Sequence, residues 1–134
     1  GMPPEINLLN EKNNGENVLK LIQDNLILSS HDISSGGLII ALSEMVMSSN
    51  HGVKIQKPKN LTNLFKYFFG EDQGRYILEI DPDNLPKAEK ILKDNNIYFE
   101  CIGYTQKDYF EIEGELKIKV KELYKVNNQW YNNY

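Results

Sequence analysis

Two short polar segments of this chain combine residue types and spacings that are suited to chemistry. The first, HDISSGG at residues 31–37, lies directly before an apolar helical pattern. The first turn of a helix has unpaired N–H groups and a partial positive charge, which together attract anions. Asp32 could hold Mg²⁺, and Ser34 or Ser35 could donate a hydrogen bond to a phosphate oxygen. The segment therefore predicts a phosphate or metal–phosphate site.

The same segment also allows a purely structural interpretation. Ser34 would then be the N-cap of the helix, and His31 would satisfy a nearby backbone carbonyl. Gly36 and Gly37, which could admit a phosphate, would instead permit close packing of the helix. Because a loop with two glycines is a weak signal, the residue types alone favour this second interpretation.

The second segment is GEDQGR at residues 70–75, a tight turn before a strand pattern. Glu71, Asp72 and Gln73 supply three acceptors, and Arg75 supplies a guanidinium. Together they could cradle a polar ligand. In the alternative the turn is solvated, and its arginine–carboxylate pair contributes little stability. Taken alone, the turn favours that alternative.

The other reactive side chains lack partners at the spacing that chemistry requires. His51 lies in an Asn-His-Gly turn, and no second histidine or cysteine offers metal-ligand spacing. Cys101 lies in an apolar segment and is predicted to be a small buried hydrophobic side chain. Trp130 and Tyr131, near the end of the chain, are predicted to pack or dock rather than to bind a ligand.

Composition narrows the class of protein. The 134 residues suit one compact domain, and the net charge of -4 provides no basic surface for nucleic acid. A lone cysteine cannot form an internal disulfide, which fits a reducing, cytoplasmic location. No apolar run approaches the roughly 18 residues that a membrane span needs. We therefore expect a cytoplasmic protein without nucleic acid or membrane partners.

Helical and strand patterns alternate along the chain and must position the two segments. Residues 1–15 are predicted to be a linker-like arm, opened by Gly1 as an expression-tag remnant, and residues 16–134 a single domain. Helices are predicted at 16–26, 38–49, 61–69, 82–95 and in the tail from 122. Strands are predicted at 26–30, 53–56, 98–103, 109–113 and 116–120, and within 71–80, where Tyr76, Leu78 and Ile80 share a face. This order predicts an α+β or α/β fold with one central sheet.

Four segments together resemble one family. The last domain of formylglycinamidine ribonucleotide synthases contains an HDxSxGGLxxALxEM segment, which residues 31–45 resemble, and then an FxExQxRYxV segment, which residues 68–80 resemble. The arm at 3–15, PPEINLLNEKNNG, is similar to that family's proline-rich arm and Glu-Lys-x-Asn-Gly stretch. The tail at 122–134 looks like the end of the same proteins. The resemblance covers essentially the whole chain, in order.

The resemblance implies an α/β/α three-layer α+β fold, with a mixed sheet of partial ferredoxin-like topology. It also implies the C-terminal domain of the large subunit of a C–N ligase of purine biosynthesis that uses glutamine as amide donor. ATP or ADP and magnesium would belong to the parent enzyme, and the domain alone would be inactive. The implied partners are the N-terminal domains of the parent chain, a glutaminase subunit and a small bridging subunit.

The resemblance also assigns roles to the two segments. The HDxSxGG form belongs to the second of two related copies in the family, whose cleft resembles an auxiliary nucleotide site. Asp32 corresponds to a metal-binding aspartate of the first copy, and Glu71 to Gln73 correspond to its substrate-contacting turn. Ser35 stands where the family often has a carboxylate, which argues against a metal. We expect the loop to face a phosphate-like ligand or a partner domain without performing chemistry.

Two other functions remain open on the sequence. One is a domain of another ATP-using member of the same superfamily, and the other is a small non-catalytic binding or regulatory module. A module would have a self-contained polar surface, whereas a domain missing its neighbours would expose apolar side chains.

Overall fold

The computed structural model describes residues 7–131, with side chains described up to Gln129. The helices are α1 (Leu8–Gln23), α2 (Gly37–Ser49), α3 (Leu64–Phe69), α4 (Leu85–Asp94) and α5 (Val120–Tyr131). The strands are β1 (Ser29–Asp32), β2 (Gly52–Ile55), β3 (Tyr76–Glu79), β4 (Gly103–Gln106), β5 (Tyr109–Ile112) and β6 (Leu116–Lys119). The first six residues of the predicted arm, and the docking role predicted for Trp130 and Tyr131, lie outside the described side chains.

The fold is α+β, as predicted, but the prediction of one central sheet is wrong. Within residues 7–131, β1 and β3 form an antiparallel pair, and the other strands form a four-stranded sheet in the order β4-β2-β5-β6. That sheet is mixed, because β2 pairs with β5 in parallel while the remaining pairs are antiparallel. Strand patterns record which face of a strand is buried and not which strand is its neighbour, so they could not separate the two sheets.

Helix α1 begins at Leu8, inside the segment predicted to be an arm. The Asn7 side chain caps the helix by accepting a hydrogen bond from the Asn10 amide at 3.0 Å. Further along, the buried Asn17 donates to the Asn13 carbonyl at 2.9 Å. Asparagines and a glycine disfavour a helix interior by propensity alone, but here capping and burial of one face outweigh that preference.

The described residues divide into two compact units, the first formed by residues up to 41 and 68–100. Its core contains Leu21 of α1, Leu26 three residues after the end of that helix, and Ala88 and Leu92 of α4. These four side chains are between 0% and 6% exposed. The partly buried side chains packed against them are Ile27, Leu78, Ile80, Ile91, Ile97 and Phe99.

Strand β3 contributes to this unit on both faces, which the sequence did not predict. Leu78 and Ile80 pack against the core as expected, but Tyr76 is 39% exposed at the start of the strand. Ile77, on the opposite face, is 8% exposed. A strand covered on both sides loses the clean alternation on which the shared-face prediction depended.

The second unit, formed by residues 42–67 and from 101 onward, contains the four-stranded sheet. Its buried face is formed by Val53 and Ile55 of β2 and by Phe110 and Ile112 of β5. The predicted hairpin turn after β5 is confirmed, because β5 pairs with β6 and Gly114 between them has φ +74°.

Two predictions around residue 101 are wrong. Residues 98–102 are not a strand, and Cys101 is exposed rather than buried. The strand is β4, which begins at Gly103, where a Cβ atom would lie 2.1 Å from the carbonyl oxygen of Lys54. Gly103 therefore permits the close approach of β4 to β2, although in the sequence it looked like the end of a strand.

The outer face of the four-stranded sheet carries a row of charged side chains. Glu111 lies between two ammonium groups, 3.1 Å from Lys117 Nζ and 3.3 Å from Lys54 Nζ. The hydrogen bond from Lys117, followed by the one from Lys54, holds the pKa of Glu111 below its ordinary value. The hydrogen bond to Glu111 raises the pKa of Lys54.

We expect this row to make the stability of the protein pH-dependent at acid pH. Because the folded-state pKa of Glu111 is depressed, its contribution is present above the ordinary value of about 4.5 and is lost as pH falls through the folded pKa. Urea unfolding at neutral and acid pH should therefore show a shallower acid loss for Glu111→Gln than for the wild type. An unchanged slope in Glu111→Gln would contradict the expectation.

Candidate functional site

The two polar segments predicted from the sequence lie side by side. Strand β1 runs into the first segment and β3 runs out of the second, and the two strands pair antiparallel with Asp32 opposite Tyr76. The Ile33 amide then donates to the Arg75 carbonyl at 2.9 Å. Pairing of β1 with β3 therefore brings together residues that are about forty positions apart in the sequence.

The start of α2 is contacted by a carboxylate from the second segment. Glu71 Oε1 accepts a hydrogen bond from the Gly36 amide at 2.7 Å. The Gly37 amide donates to the Ser34 carbonyl at 3.1 Å. The side-chain acceptor at this helix start is thus Glu71, rather than the hydroxyl of Ser34 that the structural interpretation had named.

Both glycines of the loop adopt backbone conformations that other residues rarely reach. Gly36 has φ +82° and Gly37 has φ +69°. A Cβ atom on Gly37 would lie 2.7 Å from the backbone carbonyl carbon of Phe69. The close packing of the helix start against another segment, which the structural interpretation proposed, is therefore present.

The second segment is a turn stabilised largely by its own arginine. The Arg75 guanidinium donates to the Gly70 carbonyl and, at 3.4 Å, to the Asp72 carbonyl. The same guanidinium lies 3.6 Å from the Asp72 carboxylate. Gly74 completes the turn with φ +70°. Arg75 thus holds the turn in shape.

Residues of both segments line one open cleft of about 360 Å³. The lining residues that the sequence predicted are Asp32, Ser34, Ser35, Glu71, Gln73 and Arg75. Ile33, Gly74 and Tyr76 also line it and were not predicted as site residues. Tyr76 was missed because its place in an alternating strand pattern indicated a core position.

Helix α1 supports the turn from outside the cleft. Asn14 Nδ2 donates to the Gly74 carbonyl at 3.0 Å. A Cβ atom on Gly74 would lie 2.6 Å from Glu11 Cγ, and one on Gly15 would lie 3.3 Å from the Tyr76 hydroxyl. Glu11, Asn14 and Gly15 are spaced i, i+3 and i+4, which places them on neighbouring positions of one helix side. This helical spacing is visible in the sequence, but residues 1–15 were predicted to be an arm, so it was not interpreted as one side of a helix.

The residues around Asp32 do not fit a metal ion held by this chain alone. The Asp32 side chain is 68% exposed, and among residues 7–131 no group of three or more histidine, cysteine or acidic side chains could hold a metal. His31 Nδ1 lies 2.6 Å from the Asp32 carbonyl oxygen, the local contact that the structural interpretation proposed. The metal role of Asp32 therefore stays a prediction without structural support.

Loop, turn and fold together define the class of protein. This chain belongs to the family described as "AIR synthase related protein, C-terminal domain", which matches residues 2–114. The family resemblance predicted from the sequence is thereby confirmed.

The curated relatives are subunits of one enzyme. The chain is 48% identical over 134 residues to the phosphoribosylformylglycinamidine synthase subunit PurL of Pelagibacter ubique, covering 100% of this chain and 18% of that protein. It is 37% identical over 131 residues to the PurL subunit of Bartonella bacilliformis, covering 98% of this chain and 18% of that protein. The chain thus spans less than a fifth of the length of these relatives.

Solved structures show the same fold. Thermotoga maritima PurL complexed with FGAR matches with a TM-score of 0.72 at 18% identity, over 85% of this chain and 21% of that one. T. maritima PurL complexed with ATP matches with a TM-score of 0.70 at 16% identity, over 84% of this chain and 21% of that one. Within the described part of the chain, no helix is long and apolar enough to cross a membrane.

Proposed function

We propose that this chain is the C-terminal domain of the large subunit of phosphoribosylformylglycinamidine synthase. The parent enzyme would convert formylglycinamide ribonucleotide to formylglycinamidine ribonucleotide, with ATP and with glutamine as amide donor, in the cytoplasm. The observation that carries this proposal is the 48% identity to a PurL subunit over all 134 residues. The domain would contribute to the enzyme without forming its catalytic centre.

The cleft supports this non-catalytic role. Its charged side chains form hydrogen bonds to backbone groups of the same two segments. Glu71 accepts from the Gly36 amide, and Arg75 donates to the Gly70 and Asp72 carbonyls. A catalytic acid, base or nucleophile needs a reactive atom directed at the substrate. We further propose that ATP, ADP and magnesium are bound by other parts of the parent enzyme.

Exposed apolar side chains on α1 support the proposal that this domain contacts other domains or subunits. On α1, Leu19 and Ile22 are spaced i, i+3, form a short apolar stripe and are 53% and 44% exposed. Contiguous apolar surface on a soluble protein commonly marks an interaction site. We assign this stripe to contacts with the N-terminal domains of the parent chain or with the glutaminase and small bridging subunits. The structure of PurLQS from T. maritima matches with a TM-score of 0.72 at 17% identity, over 85% of this chain and 21% of that one, and its name is consistent with such an assembly.

The first test is genetic. Sequencing upstream of the Pro3 codon should reveal a continuous reading frame that encodes the rest of a synthase subunit. The whole gene should then allow a purine auxotroph lacking this enzyme to grow without purines, whereas the 134-residue chain alone should not. A stop codon and ribosome-binding site immediately before Met2, or no growth with the whole gene while a known PurL gene restores growth, would overturn the proposal.

A further inference from the structure

The loop at the start of α2 has the residue types of a phosphate site, yet one of its amides already donates to a carboxylate of the same chain. The Gly36 amide, one of the groups that a helix N-terminus would offer to an anion, donates to Glu71 Oε1 at 2.7 Å. A carboxylate is the kind of anion that such a position favours. We propose that Glu71 takes the place of a ligand phosphate at α2 and closes this loop to nucleotide phosphates.

The charges that line the cleft also disfavour the binding of a phosphate to this loop. Two carboxylates, Asp32 and Glu71, line the cleft together with one guanidinium, that of Arg75. The guanidinium is already bonded to the Gly70 and Asp72 carbonyls and lies 3.6 Å from the Asp72 carboxylate. An incoming phosphate would therefore meet two nearby negative charges and an arginine held by other acceptors, which disfavours binding.

Three sets of contacts hold the turn that carries Glu71. The turn that carries it is shaped by Arg75, fixed to α1 by Asn14 at the Gly74 carbonyl, and joined to the loop by the Ile33 amide at the Arg75 carbonyl. A Cβ atom on Gly74 would lie 2.6 Å from Glu11 Cγ and 3.1 Å from Glu11 Cα, so α1 and the turn are in close contact. The Glu71 contact thus belongs to a supported arrangement of two loops and one helix.

The Glu71–Gly36 contact lies within this chain and does not depend on the activity of the parent enzyme. It explains how a domain can keep a glycine-rich loop before a helix without using it for catalysis, because an internal anion meets the need of the helix start. The genetic test decides the proposed function, whereas hydrogen exchange at the Gly36 amide decides whether Glu71 closes the loop.

Amide hydrogen exchange of the 134-residue chain, followed by NMR, tests the proposal. In the wild type, Gly36 should be protected, and neither inorganic phosphate nor ADP should change its exchange rate or chemical shift. In Glu71→Ala, exchange at Gly36 should become on the order of 10-fold faster, the effect expected from losing a hydrogen bond to a charged acceptor. Added phosphate should restore protection in that variant, because the amide would again have an anion to bind.

Asp72→Ala is the matched control. It removes the same charge one residue away, and the Arg75 contacts with the Gly70 and Asp72 carbonyls do not require the Asp72 side chain. Gly36 should exchange at the wild-type rate in this variant, and a well-dispersed spectrum would show that each variant is folded. Three results would each overturn the proposal: a saturable phosphate response at Gly36 in the wild type, unchanged exchange in Glu71→Ala, or no protection of Glu71→Ala by phosphate.

Discussion

Replacing Gly37 by alanine should destabilise the protein by about 2–5 kcal/mol, the sum of a backbone cost and a steric cost. Gly37 has φ +69°, a left-handed conformation that costs an L-residue roughly 1–2 kcal/mol. The added Cβ atom would also lie 2.8 Å from the Phe68 carbonyl oxygen and 2.8 Å from Phe69 Cα. Backbone atoms cannot rotate away as a side chain can, so α2 or the Phe68–Phe69 segment must move. Urea unfolding followed by circular dichroism measures the loss.

Gly114→Ala separates the two contributions. Gly114 also has a positive φ, +74°, but among the described residues the one neighbour of its added Cβ atom within contact range is Lys57 Nζ at 3.7 Å. This variant should therefore lose only the backbone contribution of roughly 1–2 kcal/mol. Equal losses at the two positions would mean that the contact between the loop and the Phe68–Phe69 segment is looser than the structure shows.

The second large effect is expected in the core of the first unit. Leu21 is 0% exposed and packs in the cluster that contains Leu26, Ala88 and Leu92. Leu21→Ala should lower the free energy of unfolding by about 2–5 kcal/mol, because it removes buried apolar atoms and leaves a cavity between α1 and α4. A loss of this size is a large part of the 5–15 kcal/mol that is typical of natural domains.

Leu19→Ala is the control for this prediction, because it makes the same change two residues away on α1. Leu19 is 53% exposed, so its truncation should change the free energy of unfolding by no more than about 0.5 kcal/mol. In the isolated chain, similar losses for the two variants would contradict the burial assigned to α1.

The α+β class and most elements could be predicted from the sequence, because they depend on local patterns. Apolar periodicity predicted α2 and α4, and short strand segments predicted β2, β5 and β6, all within a few residues of their observed bounds. The predictions were wrong where the same residue types are compatible with two different local structures. The asparagines near residue 13 indicated a linker but belong to a capped helix, and Gly103 indicated the end of a strand but begins β4.

The candidate site was predicted as two separate weak segments. Residue types identified most of its lining, including Asp32, Glu71 and Arg75. What they could not indicate was that the acceptor of one segment would satisfy the donor of the other. That contact depends on strand pairing between residues far apart in sequence, and pairing is not encoded in either segment alone.

The sequence by itself determined the family, the α+β class and the residue types at the cleft, because motifs and periodicity are local properties of the chain. Only the tertiary structure decided that β1 pairs with β3 apart from the four-stranded sheet, and that α1 supports the turn through Asn14. Only the tertiary structure, too, placed Glu71 on the Gly36 amide. The physical reason is that an anion site depends on which acceptor reaches the helix start in three dimensions, and here an acceptor 35 residues along the chain reaches it.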